Sequence, residues 1–229
     1  DESRALSFAA KLVVPRDEEA AARLDAEIAL MRRLDHPNIV RTLGTATSDE
    51  WSSGFSGGGT LGGGDRYLLM EFCRGGSVRQ LLNRDHPSGL PPELHRRYAR
   101  QLLSGLHFLH EKLIIHRDLK GENLLFLDES RQVVKIADFG SSDELLAGRT
   151  LTQNVGAIRG SPYWMSPEHI QGERCGRKAD IWSFACVLLE MATGLPPWAD
   201  PSASNNGTGG GQFAVFQLLD RIVRAPGPP

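Results

Sequence analysis

Residues Ile115–Leu125 read I-H-R-D-L-K-G-E-N-L-L. The run places His116, Arg117 and Asp118 side by side and follows them, in the spacing H-R-D-x-x-x-x-N, with Asn123. A carboxylate followed at this distance by an amide suits phosphoryl transfer. Asp118 would accept the proton of an attacking hydroxyl, and Asn123 would hold a magnesium ion on nucleotide phosphates. Lys120 lies between them, where an ammonium could face the group in transit. A solvated polar loop after a helix would read the same way on its own, so the context decides. That context begins at Val133–Gly140, V-V-K-I-A-D-F-G, a strand-like run ending in D-F-G. Asp138 becomes a second magnesium carboxylate and Phe139 the packing residue that holds it in place. Further on, Gly160–Glu168 reads G-S-P-Y-W-M-S-P-E.

Three ordered motifs at these separations are far more specific than one. With them the chain resembles the eukaryotic protein kinase family. It is closest to serine/threonine kinases of the MAP kinase kinase kinase type, through H-R-D-L-K-G-E-N combined with G-S-P-Y-W-M-S-P-E. The resemblance implies an α+β, two-lobed fold, here incomplete. Residues 1–73 would form part of a small antiparallel-sheet lobe with one long helix, and residues 74–229 part of a larger, mainly helical lobe. It also implies ATP and Mg2+ as cofactors, and protein substrates, among them a downstream kinase. An upstream activator would act on the chain. Lys120 in the loop favours Ser/Thr over Tyr acceptors.

The elements that must position these residues can be followed from the start. Leu6–Val14, L-S-F-A-A-K-L-V-V, reads as a buried strand with one lysine inside it. Such a lysine commonly snorkels at an edge. By the resemblance, Lys11 contacts phosphates and Ala9 packs on the adenine ring. Asp17–Leu34 reads as a helix. Asp17 can cap it, Glu18 and Glu19 sit in its first turn, and Arg32 and Arg33 in its last. Leu24, Ile28, Met31 and Leu34 recur on one face. Glu27 borders that face, and the resemblance pairs it with Lys11, aiming the lysine at the phosphates.

Residues 48–65 are Ser/Gly-rich and predict a flexible insert. They lack G-x-G-x-x-G-x-V and follow Lys11, so they do not supply a phosphate loop. Tyr67–Cys73 predicts another strand. By resemblance Met70 sits at the back of the adenine pocket and Glu71 and Cys73 offer backbone hydrogen bonds to adenine. Leu125 joins these ATP-binding residues. Gly75 and Gly76 mark a hinge, and Ser77–Asn83 a short helix.

Pro91 and Pro92 open a longer helix, with an apolar stripe of Tyr98, Leu102, Leu106, Leu109 and Leu113. His107 and His110 lack further ligands and suggest no zinc. Residues 138–168 would be the activation segment. A phosphate on Thr150 or Thr152 would pair with Arg117. The Ser161 hydroxyl would contact Asp118 and Lys120, and Tyr163 and Trp164 would shape a substrate pocket. The helix over Asp180–Ala192 is apolar on almost every side and is predicted to be buried all round. Asp180 would cap it, brace the catalytic loop, or do both. Residues 201–211 predict a second insert and Phe213–Val223 a last helix.

Composition sets outer bounds. Apolar residues make up 40% and charged residues 24% of 229 residues, and the formal net charge of −2 gives no electrostatic case for nucleic acid or an anionic membrane. No apolar run approaches the roughly 20 residues that span a bilayer. Cys73, Cys175 and Cys186 are scattered, which suits reduced thiols and a cytoplasmic location. By the resemblance, no glycine-rich strand–turn–strand precedes Lys11, and the family's last helices, with the arginine that would pair with Glu168, are missing. These gaps predict a fragment of a longer kinase with a buried, uncompensated Glu168. The rival expectation is a catalytically impaired, kinase-like scaffold. A small-molecule kinase is disfavoured by the peptide-type G-S-P-Y-W-M-S-P-E segment.

Overall fold

In the computed structural model the described residues are 7–13, 25, 28–47, 66–138, 143–144, 161–173, 175–199, 212–225 and 227. They fall into two units, Asp1–Arg74 and Gly75–Pro229.

The first unit is built on three antiparallel strands in the order β1-β3-β2: β1 (Phe8–Val13), β2 (Thr42–Thr47) and β3 (Arg66–Glu71). Strands β1 and β3 form where the sequence predicts them, but β1 is not the buried strand expected. Ala10, Lys11 and Leu12 are exposed and Phe8, Ala9 and Val13 only half-buried, because β1 lies at the edge of the sheet and, among the described residues, pairs with β3 alone. Residues 25 and 28–31 are helical, and the Arg32 amide donates to the Ile28 carbonyl at 3.0 Å. Ile28, Met31 and Leu34 are buried. The three therefore share the predicted inner face. Asp17, Leu24 and Glu27 of the same predicted helix lie outside the described residues, as do both inserts.

The second unit opens with α1 (Val78–Asp85). Ser77 caps it, and Ser77 and Gln80 form a reciprocal capping box. Next comes α2 (Pro92–Glu111), with Pro92 in its first turn. Its stripe of Tyr98, Leu102, Leu106 and Leu109 is buried. Leu113, predicted to extend that stripe, lies past the helix end in a positive-φ turn (62°) and is only half-buried. Short strands follow: β4 (Ile114–Ile115), β5 (Leu124–Phe126), β6 (Val134–Ile136) and β7 (Asp143–Glu144). They pair as β4-β7 and β5-β6. Helices α3 (Pro167–Ile170), α4 (Arg177–Thr193) and α5 (Gln212–Arg224) complete the unit. Among the described residues no helix is long and apolar enough to cross a membrane.

The structure corrects three further expectations. Helix α4 is not buried all round: Ile181 is 48% exposed and Ala185 is exposed, because the packed side is the face of Asp180, Ser183, Val187 and Glu190. Asp180 does not cap α4. The N-cap is Gly176, which places Asp180 at the end of the first turn with its carboxylate free to reach the loop. Glu168 is half-exposed rather than buried, because α3 is a four-residue surface turn with no buried residue.

Two predictions follow from packing. Gly194 ends α4 at φ 77°, and its amide donates to the Glu190 carbonyl at 2.8 Å. A Cβ there would lie 2.2 Å from the Pro87 carbonyl oxygen. Gly194→Ala therefore adds a clash to the left-handed strain, and denaturant unfolding is expected to show a loss of about 2 kcal/mol or more at unchanged m. A loss below about 0.5 kcal/mol would contradict the clash. Cysteine access gives the second prediction. Cys175 and Cys186 are buried and Cys73 is half-buried. Burial also pushes the Cys186 thiol up to about 12, so it stays protonated and inert at neutral pH. A small thiol reagent should label Cys73 quickly and Cys186 only after denaturation, which mass mapping of labelled peptides would show.

Candidate active site

Helix α2 delivers the chain to β4 through Leu113, and the next residue after β4, His116, is fully buried. Its Nδ1 accepts from the Asp118 amide at 3.3 Å and its Nε2 donates to the Ala137 carbonyl at 3.0 Å. Burial pushes its pKa below the usual histidine value, so the ring is neutral and one tautomer satisfies both bonds. His116 thereby ties the loop to the chain just before Asp138.

Asp180, fully buried in the first turn of α4, fixes the same loop from the other side. Its Oδ2 accepts from the His116 amide at 2.9 Å and its Oδ1 from the Arg117 amide at 2.8 Å. His110 Nε2, from the last turn of α2, donates to Oδ2 at 2.8 Å. Arg117 sits at φ 67° and Asp138 at φ 61°. Non-glycine residues in that region cost about 1–3 kcal/mol, and such conformations persist only where the surroundings impose them. At Arg117 the clamp on two successive amides does so.

The loop then presents Asp118. Lys120 Nζ meets its Oδ2 at 2.8 Å, Asn123 Nδ2 donates to the same oxygen at 3.0 Å, and the Ser161 amide donates to Oδ1 at 3.1 Å. Three donors therefore set the position of one carboxylate. Lys120 Nζ also donates to Ser161 Oγ at 2.7 Å. The predicted Ser161 hydroxyl contact with Lys120 is present, and Ser161 reaches Asp118 through its backbone amide.

Asn123 Nδ2 makes a second donation to the Asp118 carbonyl at 2.8 Å, which leaves the amide oxygen for a cation. The β5-β6 pairing sets Leu124 opposite Ile136, and the Asn123 carbonyl accepts from the Ala137 amide at 2.9 Å. Asn123 and the exposed Asp138 are thus carried on adjoining strand ends. An amide oxygen and a carboxylate so placed fit a hard, oxygen-seeking cation such as Mg2+.

The remaining predicted residues are placed as follows. In the first unit, Ala9 lies opposite Met70 and Lys11 opposite Leu68 across β1 and β3, with Lys11 exposed. Glu71 pairs with Phe8, and its Oε1 accepts from the Arg41 amide at 2.7 Å. Cys73 follows β3 and is half-buried. In the second unit, Leu125 lies in β5 opposite Lys135 and also bridges to Ser77. Glu27, Phe139, Thr150 and Thr152 lie outside the described residues. Trp164 departs from expectation: it is buried, with Nε1 donating to Glu190 Oε2 at 3.1 Å, so it packs beneath the site instead of lining a pocket beside Tyr163. His107 and His110 serve ordinary polar roles, His107 facing Glu111 at 3.5 Å and His110 holding Asp180.

Sequence reasoning missed Glu190, Arg79 and the part played by His110. A signal for Glu190 exists. Asp180, Ser183, Val187 and Glu190 recur at helical spacing, so the polar members of an otherwise apolar helix share one buried face.

Residues 1–220 match the family described as protein kinase domain. Mitogen-activated protein kinase kinase kinase ANP1 of Arabidopsis thaliana is 39% identical over 195 residues, covering 85% of this chain and 26% of that protein. Mitogen-activated protein kinase kinase kinase 2 of the same plant is 40% identical over 176 residues, covering 77% of this chain and 24% of that protein. Mitogen-activated protein kinase kinase kinase 3 of Homo sapiens is 37% identical over 189 residues, covering 82% and 28%. The chain thus spans about a quarter of the length of these relatives.

Proposed function

The chain belongs to the protein kinase family, and from that premise we propose that it is the catalytic part of a serine/threonine kinase of the MAP kinase kinase kinase type. It would transfer the γ-phosphoryl group of ATP to Ser or Thr hydroxyls of a protein. The observation that carries the reading is the Asp118 carboxylate, held by Lys120, Asn123 and Ser161 on a loop clamped by Asp180.

Asp118 takes the proton of the attacking hydroxyl. Lys120, already within reach of both Asp118 and Ser161, balances charge on the group in transit. Asn123 Oδ1 and the Asp138 carboxylate would hold Mg2+, which supplies charge neutralisation on the phosphate oxygens. By the family resemblance Lys11 would contact the phosphates, with Glu27 as its proposed ion-pair partner. Contacts with the adenine are proposed for Ala9, Met70, Glu71 and Cys73, and separately for Leu125. Catalysis is then positioning and electrostatics, with no covalent intermediate on the protein.

The acceptor is a downstream kinase, in keeping with the names of the relatives. Phosphorylation of Thr150 or Thr152 by an upstream activator would set a dianion against Arg117 and order the segment. Three scattered cysteines with no C-x-x-C pair suit a cytoplasmic location as part of this proposal. Phosphoamino-acid analysis of a catalytically dead kinase used as acceptor tests the specificity. Phosphoserine and phosphothreonine are expected, and phosphotyrosine alone would overturn the Ser/Thr assignment.

A further inference from the structure

Helix α4 carries a second fully buried carboxylate, Glu190, roughly three turns beyond Asp180. Its Oε1 accepts from Arg79 Nη1 of α1 at 3.2 Å. Its Oε2 accepts from the Gly121 amide at 3.1 Å and from Trp164 Nε1 at 3.1 Å. Arg79 is itself steadied by the Gly194 carbonyl at 3.1 Å and by Asn83 Oδ1 at 2.6 Å. Burying a carboxylate is unfavourable unless donors surround it, and three donors from three different segments do so here. Burial pushes the Glu190 pKa up, while the bonds to Arg79 and Gly121 oppose that shift.

The two turns gathered by Glu190 are the ones already joined above it. Gly121 follows Lys120, and Trp164 ends the 3-10 turn capped by Ser161. Lys120 Nζ links these turns through Ser161 Oγ. Glu190 links them again through the Gly121 amide and the Trp164 indole. Two independent links fix their register, and Asp118 is held between them by Lys120 and the Ser161 amide. Ser183 reinforces the lower link by donating to the Trp164 carbonyl at 2.7 Å. Residue 121 bears on the same carboxylate. A Cβ there would stand 2.6 Å from Glu190 Oε1 and 2.9 Å from Cδ and Oε2, so any side chain displaces the carboxylate from its donors.

We propose that Glu190 is a positioning residue for phosphoryl transfer. It holds the Lys120–Asn123 turn against the turn that follows Ser161, and this contact is what requires glycine at position 121. The inference rests on the kinase reading for its effect on rate, but the clamp itself is a property of the fold.

The test uses the full-length protein that contains this chain, with Glu190→Gln, Gly121→Ala and Trp164→Phe. Glutamine keeps the shape but offers one acceptor oxygen to three donors. Protection of the backbone amide at position 121, relative to its intrinsic exchange rate, is expected to fall by roughly tenfold or more in Glu190→Gln and Gly121→Ala, below their unfolding temperatures. In the same variants kcat should fall roughly 10–100-fold while KM for ATP stays within about twofold. The Glu190→Gln/Gly121→Ala double variant should be no slower than the slower single one, since both lose the same contact. A purely structural role would lower the unfolding temperature without this split between kcat and KM. Protection at that amide and kcat both within about twofold of the unaltered protein would overturn the proposal. Should Glu190→Gln fail to fold, Gly121→Ala and Trp164→Phe carry the same readouts. Absence of transfer by the unaltered protein would count against the kinase reading alone, because protection at position 121 still decides whether Glu190 holds the turn.

Discussion

Asp118→Asn is expected to lower kcat by about 10²–10⁴-fold, with KM for ATP within about twofold. The substitution preserves volume and leaves an oxygen for Lys120, so the loop keeps its path. The change falls on the proton. An amide cannot accept it, and one face of the side chain now donates where the Asn123 amide or the Ser161 amide already donates. Because the acceptor is needed when the hydroxyl attacks and not when ATP binds, the loss should appear in kcat. Steady-state kinetics with a protein acceptor reads it directly. Equal losses in kcat and in nucleotide affinity would mean that the substitution disturbs the fold, and an unchanged kcat would remove Asp118 from the reaction.

Asp180→Ala should produce the largest loss of stability, about 3–5 kcal/mol. The carboxylate is fully buried and its oxygens accept from the His116 amide, the Arg117 amide and His110 Nε2. Alanine leaves these donors without an acceptor, at about 1–3 kcal/mol for each buried group left unmade. It also releases Arg117 from the φ of 67° that the clamp imposes. For a unit of this size the loss corresponds to a fall of roughly 6–20 °C in Tm. Asp180→Asn keeps one acceptor and should be milder. A thermal shift series over both variants checks the order, and an Asp180→Ala loss under about 1 kcal/mol would show that the loop is held by other means.

Much of this site was legible because the chemistry constrains spacing. Asp118, Lys120 and Asn123 must lie on one short loop, so their order survives in the sequence as a pattern, and the structure brings both Lys120 and Asn123 onto the Asp118 carboxylate. The bracing by Asp180 was likewise expected, although its place on the helix was not. The edge of α4 depends on where the chain turns at Gly176, which propensity alone does not reveal. The stripe of α2 was readable from its period. Trp164 was harder. A tryptophan beside a tyrosine in a polar loop suggests a surface pocket, and only a buried acceptor elsewhere in the chain turns its indole inward. That acceptor, Glu190, meets Arg79 across 111 residues, a separation that no local pattern encodes. The helical spacing of Asp180, Ser183 and Glu190 was the accessible hint. It was masked because the run D-I-W-S-F-A-C-V-L-L-E-M-A reads first as apolar on all sides.

The most direct test of the central claim is magnesium-dependent transfer of labelled γ-phosphate from ATP to a protein acceptor. It would be measured on the full-length protein beside its Asp118→Asn variant. Transfer that needs magnesium and collapses in the variant is the predicted result. No transfer by either protein, even after treatment with an activating kinase and with nucleotide binding intact, would contradict the account and leave a kinase-like scaffold in its place.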